Sequence, residues 1–378
     1  MRIAVLAETD KAEPRVAATP ETVKKFVALG AEVAVQSNAG AASGFLDADY
    51  AAAGAVIGAN AAQTLAAADV ALRVRRPTPD EIAGCKQGAA VVAIMDPFGN
   101  EKALADLAKA GATVFAMELM PRITRAQVMD VLSSQANLAG YYAVIEAAAL
   151  YSRAVPMMMT PAGTVPAAKI FIMGVGVAGL QAIATARRLG GIVTATDVRP
   201  ATKEQVESLG AKFVAVENEE FKQAETSGGY AKEMSAEYQA AQADLVAAHI
   251  AKQDIVVTTA LIPGRPAPKL ISAAMARSMR PGSVILDIAA ERGGNTELTK
   301  AGEIVVENGV KIVGAVNLAG RMPSTASSLY AKNLLAFVET LISKETKQLA
   351  INWDDELVKA TCLTRDGAVI DPRFAPKG

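Results

Sequence analysis

Histidine occurs once in this chain, at position 249, and cysteine twice, at 85 and 362. One histidine excludes a His-rich metal cluster, so no metal site is expected, and no Ser/His/Asp or Cys/His pairing can be built around it. Two cysteines far apart supply neither a zinc site nor a secreted disulfide framework, and read as ordinary thiols of a reducing compartment. Net charge is nearly absent: 38 Lys and Arg stand against 39 Asp and Glu, so no basic field exists to gather nucleic acid or anionic lipid. Aromatics are only 4% of the chain. Ala, Val, Leu and Ile must fill the core instead, which suits parallel sheets under Ala-rich helices. Long apolar runs are missing too. The apolar run in MRIAVLAETD is too short for a signal peptide. Residues 50–68 are mostly Ala and Gly, with Asn60 and Gln63 among them, and 170–186 is broken by a glycine turn. Neither predicts a membrane span.

What is present is globular. Apolar residues make up 51% and charged residues 20% of 378, a length that predicts two or three domains. Strands are expected at RIAVLAE, EVAVQS, DVALRV, AAVVAIM and TVFAME. A helix ETVKKFVALG follows Thr19 as cap with Pro20 at its first position, and EKALADLAKAG is a second. This is a βαβ rhythm. Residues 132–151 read as a long connecting helix, and MMMTPAGTVP (157–166) as a loop. From Lys169 a second series begins: KIFIMG, GIVTATD, KFVAV, DIVVTTA, SVILDIA and KIVGAVN. After Asn317 come one long helix, SSLYAKNLLAFVETLISKE, then QLAINW and a hairpin, TCLTRDGAVI, turning at Asp366-Gly367 and returning to the first domain. The expected fold class is α/β, with two Rossmann-like domains of mostly parallel sheet. The first is discontinuous (1–133 with 322–378), and the second spans 134–321.

Residues 174–179, GVGVAG, fit G-x-G-x-x-G between a strand and a helix. Gly174 permits the tight turn, Gly176 lets a pyrophosphate approach the backbone, and Gly179 allows close helix–strand packing. The helix start offers free N–H groups to phosphate. The next strand ends in Asp197, 18 residues after Gly179. An acid there accepts the ribose hydroxyls and repels a 2′-phosphate, which favours NAD over NADP. Arg199 pulls the other way, because arginine is the usual 2′-phosphate partner. The polar stretch 217–238 has two readings, a solvated loop running into a helix or a lid over the nucleotide.

An NAD dehydrogenase acting on an alcohol or amine needs a general base, and none stands out. His249, inside ADLVAAHIAKQD, reads as structural. Hydride transfer between two nicotinamides moves no substrate proton and needs no base. The other notable feature is the polar segment 120–135, which includes Arg122, Ile123, Thr124, Gln127, Val128, Met129, Asp130 and Ser133. It reads as a ligand-holding segment at the junction of the two series or as a solvated capping segment. An Arg122–Asp130 ion pair would span two helical turns and so needs a non-helical stretch.

These residues resemble the NAD(H)-binding domain I, or α-subunit, of proton-translocating NAD(P)+ transhydrogenases, relatives of alanine dehydrogenase. The resemblance runs nearly end to end, through RVAATPETVKK, MELMPRITRAQVMDVLSSQANLAGY, PMMMTPAGTVPAAK, GVGVAGLQAIATARRLG, ATDVRPATKEQVESLGAKF, ETSGGYAKEM, TTALIPGRPAP and YAKNLL. It implies Si-type hydride transfer from NADH to NADP+ held on a separate domain III, coupled to proton movement by a membrane domain II. It implies a homodimer in the cytoplasm, attached to the inner membrane through its partners. It implies that Arg122, Gln127, Asp130 and Ser133 orient the nicotinamide, with Ile123, Thr124, Val128 and Met129 in the same loop. Val177, Ala178 and Gly179 then contact the phosphates, and Asp197, Val198 and Arg199 the adenosine ribose. Gly229, Gln242 and Leu261 complete the pocket, and Tyr230 and Met234 belong to a mobile loop, which favours the lid reading. Alanine dehydrogenases carry a catalytic lysine and histidine where LRVRRP and AIMDPFGN place Arg75 and Asp96, while Arg15 is common to both branches. An alanine dehydrogenase-like enzyme and a non-catalytic NAD-binding module are the competing functions.

Overall fold

The computed structural model describes residues 1–224 and 234–375. It divides into two units, Met1–Gln135 with Ala319–Gly378, and Ala136–Leu318.

Among the described residues the first unit holds an eight-stranded sheet. Its order is Ala368–Val369, Cys362–Arg365, Thr113–Ala116, Cys85–Ile94, Ala68–Arg75, Arg2–Val5, Glu32–Gln36 and Val56–Gly58. The N-terminal strands are parallel and run outward from Arg2–Val5 in both directions, a doubly wound order with its switch point beside Ala68–Arg75. Apolar clusters cover both faces, so a strand such as Arg2–Val5 is buried and apolar throughout from Ile3 rather than alternating. The helix Pro20–Ala28 starts where the sequence places it: Thr19 accepts from Thr22 N–H, and Pro20 fills the first turn. Such a cap stabilises by about 1 kcal/mol.

The C-terminal segment returns to this sheet. The strand Cys362–Arg365 pairs antiparallel with Thr113–Ala116. The hairpin to Ala368–Val369 turns through Asp366 (φ 51°) and Gly367 (φ 80°), both left-handed as a type I′ turn requires. The long helix of this segment is Pro323–Thr340, earlier at both ends than the 327–345 expected, because Pro323 at its first turn sets the start.

The second unit's seven-stranded sheet runs Lys212–Phe213, Ile192–Thr196, Lys169–Met173, Ile255–Thr258, Val284–Asp287, Val310–Gly314 and Ile304–Glu307. Its switch point lies between Lys169–Met173 and Ile255–Thr258. Three details differ from expectation. The antiparallel edge strand Ile304–Glu307 is an addition, joined to Val310–Gly314 by Asn308 (φ 50°) and Gly309 (φ 76°). The strand expected at 212–216 shrinks to Lys212–Phe213 at the opposite edge. The expected loop at 157–166 is a two-stranded hairpin, Met158–Thr160 with Gly163–Val165, carrying exposed Met157 and Met159.

The helix Val131–Leu150 begins in the first unit and continues into the second. A Cβ on its Gly140 would stand 2.0 Å from the Ala178 carbonyl oxygen, so glycine lets this helix press against the one that follows the glycine turn. No helix among the described residues is long and apolar enough to cross a membrane.

Candidate nucleotide site

In the second unit, the strand Lys169–Met173 runs into Gly174, whose φ of 98° suits glycine. A Cβ on Gly179 would stand 1.9 Å from the Gly174 carbonyl oxygen, so the helix Val177–Arg188 starts in direct contact with the turn. Around Gly176 the opposite holds, with no atom within 4 Å of where its Cβ would be. Gly176 caps this helix without a side chain, and Val177 and Gly176 are exposed. Uncapped first-turn N–H groups beside open space form an anion cradle, and a pyrophosphate fits its chemistry.

Asp197 follows the strand Ile192–Thr196. Its Oδ2 accepts the Val175 N–H at 2.7 Å, fixing the glycine turn. Arg199 donates its backbone N–H and Nε to Oδ1, both at 2.9 Å, and Nη2 to Oδ2 at 3.0 Å. Its Nη2 also reaches the Val175 carbonyl at 3.2 Å. Val198 between them is exposed. Gln242, on the helix Ala236–Ile250, accepts from Val216 N–H at 2.9 Å and donates to Thr196 Oγ1 at 3.3 Å, so it ties the end of the strand Ile192–Thr196 beside Asp197 to the loop after Lys212–Phe213. Leu261 is half exposed, just beyond the strand Ile255–Thr258. Gly229 and Tyr230 lie outside the described residues, as does the middle of the expected lid, residues 225–233. Of the stretch 217–238, Asn218 caps a short helix, Glu219–Lys222, and Met234 packs against the unit's apolar core.

In the first unit, Thr124–Met129 forms a 3-10 helix, and Asp130 then caps the helix Val131–Leu150. Asp130 Oδ1 accepts the Ser133 N–H at 2.8 Å and Oδ2 the Ser133 hydroxyl at 2.6 Å. The Arg122–Asp130 ion pair does not form: capping occupies the carboxylate, while Arg122 is exposed and makes no hydrogen bond or ion pair among the described residues. Thr124, Gln127 and Val128 are exposed, Ile123 is partly buried, and Met129 turns into the core. Arg125 anchors the segment from outside, reaching Asp355 at 2.6 and 3.0 Å and Glu356 at 3.1 and 3.2 Å.

Among the described residues no acid–base machinery accompanies these groups. Arg75 donates Nε to Glu13 at 2.7 Å, and buried Arg15 binds the same carboxylate at 2.7 Å. Burial pushes the Glu13 carboxyl up, but the two guanidinium groups outweigh it and hold it below its ordinary value. An arginine so held cannot give up a proton as a lysine can. His249 accepts or donates at 2.8 Å with Thr194 Oγ1 and sits edge-on to Phe171. Burial lowers its basicity, and Lys252, Lys212 and Lys169 lower it further. Burial alone raises the thiol of Cys85 to about 11, far from a nucleophile's range.

Sequence reasoning missed three supports. Thr259 Oγ1 donates to the Gly174 carbonyl at 3.0 Å. Asn295 pins the Leu261 loop, accepting Ala260 N–H at 3.0 Å and donating to the carbonyls of Ala260 (2.8 Å) and Pro268 (2.9 Å). Asn333 bonds the Val128 carbonyl at 2.7 Å. Thr259 carried a signal, standing directly after a strand at the switch point. Asn295 and Asn333 carried none, because their partners lie far away in sequence.

Two family models cover this arrangement: the alanine dehydrogenase/PNT N-terminal domain over residues 4–139 and its C-terminal domain over 143–372. The chain belongs to the alanine dehydrogenase/PNT family. It is 53% identical to an NAD(P) transhydrogenase subunit alpha of Rhodospirillum rubrum over 383 residues, covering 100% of both chains. A crystal structure of transhydrogenase from Sinorhizobium meliloti is 59% identical, with a TM-score of 0.89 over 98% of this chain and 100% of that one. The alanine dehydrogenase of Halomonas elongata is more distant, 29% identical over 97% of this chain and 94% of its own.

Proposed function

We propose that this chain is the NAD(H)-binding subunit of a proton-translocating NAD(P)+ transhydrogenase. The observation that carries the reading is the turn at 174–179, open at Gly176 and closed at Gly179, with Asp197 locked to its backbone. Val177, Ala178 and Gly179 would hold the phosphates through the helix start, and Asp197 and Val198 the adenosine ribose. Gln242 and Leu261 would border the same nucleotide, with Gly229 and Tyr230 as lid residues. Arg122, Gln127, Asp130 and Ser133 would orient the nicotinamide end, beside Ile123, Thr124, Val128 and Met129. Bound NADH supplies the hydride at its nicotinamide ring.

The residues then do positional work. Orientation of two reactants is worth about 7–11 kcal/mol of a barrier, and hydride exchange between two nicotinamides moves no substrate proton, so no protein acid or base is required. The Glu13-bound Arg75 supports this reading, since it occupies the position where alanine dehydrogenases keep a lysine. The acceptor NADP+ would sit on a partner domain III, with a membrane domain II coupling the exchange, Si-type in stereochemistry, to proton movement. The chain would be a homodimer on the cytoplasmic face of the inner membrane, attached through those partners. The exposed Met157 and Met159 of the hairpin are apolar surface that a second copy would cover.

The test mixes the purified chain with an NADP(H)-binding domain III and follows hydride exchange between nicotinamide analogues. Exchange that requires both proteins is expected. Nucleotide binding without exchange would overturn the proposal, and NADH oxidation driven by pyruvate and ammonia would replace it with amino-acid dehydrogenation.

A further inference from the structure

Asn333 sits on the helix Pro323–Thr340 at 8% exposure, apart from the residues assigned to the nucleotide. Its amide works in two directions. Nδ2 donates to the Val128 carbonyl at 2.7 Å, and Oδ1 accepts the Ser134 hydroxyl at 2.7 Å. The Val128 carbonyl can only accept, so it fixes which end of the amide is nitrogen. Val128 follows Gln127 directly and lies two residues before Asp130. Carbonyls near the end of a helical turn lose their intrahelical partners, and here one is supplied from 205 residues away.

The clasp has a buried backing. Gln135 Nε2 donates to Ser134 Oγ at 3.2 Å and to the Ala326 carbonyl at 3.2 Å. Its Oε1 accepts from Arg15 Nη1 at 2.8 Å, and Arg15 is locked on Glu13. Polar networks with satisfied members in a low-dielectric interior are stiff. The exposed residues Arg122, Gln127 and Val128 thus stand on a segment whose backbone is held from behind by an amide and from outside by Arg125.

We infer that Asn333 is a positioning residue. It holds the Val128 peptide and thereby aims Gln127 and Asp130, while touching no nucleotide itself. This rests on the function proposed above. Displacing an oriented group by an ångström costs about 100-fold in rate, which sets the size of the effect.

The test uses Asn333→Asp, which keeps an acceptor toward Ser134 but sets oxygen against the Val128 carbonyl. Asn333→Ser removes the same donor with a milder change, in case the aspartate variant fails to fold. Ser327→Ala is the control: Ser327 is also buried on the same helix, and its hydroxyl oxygen accepts the Val16 N–H instead. Hydrogen exchange on the free chain should quicken at least about tenfold in residues 124–131 for both Asn333 variants and stay unchanged there for the control. With domain III present, kcat for hydride exchange should fall about 10- to 100-fold while NADH affinity stays within about threefold. Unchanged exchange in 124–131 overturns the inference, as does a loosened segment with an unchanged kcat. A fall in kcat matched by the control also overturns it. If the unaltered chain exchanges no hydride, the proposed function has failed, and hydrogen exchange alone decides the clasp.

Discussion

Arg199 is folded back onto Asp197, with three of its N–H groups on the carboxylate at 2.9, 2.9 and 3.0 Å. The two residues that argue in opposite directions about nucleotide choice are therefore one unit. The guanidinium that would greet a 2′-phosphate is held against the carboxylate that would repel it.

Asp197→Asn keeps an acceptor for Val175 N–H and removes the charge. Charge-assisted hydrogen bonds are worth about 1.5–3 kcal/mol, so NADH affinity should fall about 10- to 100-fold. Release of Arg199 and loss of the repelling charge should leave NADPH affinity unchanged or improved. Fluorescence titration with both nucleotides reads the ratio, and equal losses for the two would refute the assignment.

Gly176 and Gly179 should behave as opposites. Gly179→Ala forces a methyl to within 1.9 Å of the Gly174 oxygen, so the helix must shift. Overpacking of that kind costs about 1–3 kcal/mol or more, visible as a lowered Tm. Gly176→Ala meets open space, so Tm should hold while nucleotide affinity drops. Calorimetry with and without NADH separates the two effects. Equal destabilisation by both would mean that the opening at Gly176 is not a cradle.

His249 gives a pH prediction. Its folded-state basicity lies below the ordinary value of 6.5, so the unfolded chain binds its proton first as pH falls. The stability from the neutral ring is fully present above about pH 6.5 and is lost as pH drops below it. His249→Gln should flatten the difference in unfolding free energy between pH 7.5 and 5.5. Identical pH dependence in both proteins would assign the acid sensitivity elsewhere.

How much of this was legible follows from the range of each interaction. The βαβ rhythm was readable because both sheets are mostly parallel and covered on both faces, which gives central strands such as Lys169–Met173 and Ile255–Thr258 a continuous buried apolar run. Pro20 and Asp366-Gly367 marked their elements because caps and type I′ turns are local chemistry. The strand Ile304–Glu307 escaped although Asn308-Gly309 is the same turn signal, because its apolar run is only three residues long, Ile304 to Val306, and it lies at an exposed edge with Ile304 and Val306 facing out. In the polar segment, sequence showed density but not partners. Asp130 looked like half of an ion pair and is a cap. Asn333 looked like an ordinary helix residue, because what it holds lies 205 positions away.

The antiparallel strand Cys362–Arg365 has a consequence for how the protein is made. The sheet it joins begins at Arg2, so a ribosome that has finished the first six strands has not finished the first unit. The edge Thr113–Ala116 emerges with unpaired backbone groups and stays so while residues 136–318 are synthesised. The unit in the middle of the gene can mature first, and the one at its start last. During translation, that open edge is where a nascent chain of this protein is most exposed to pairing with the wrong strand.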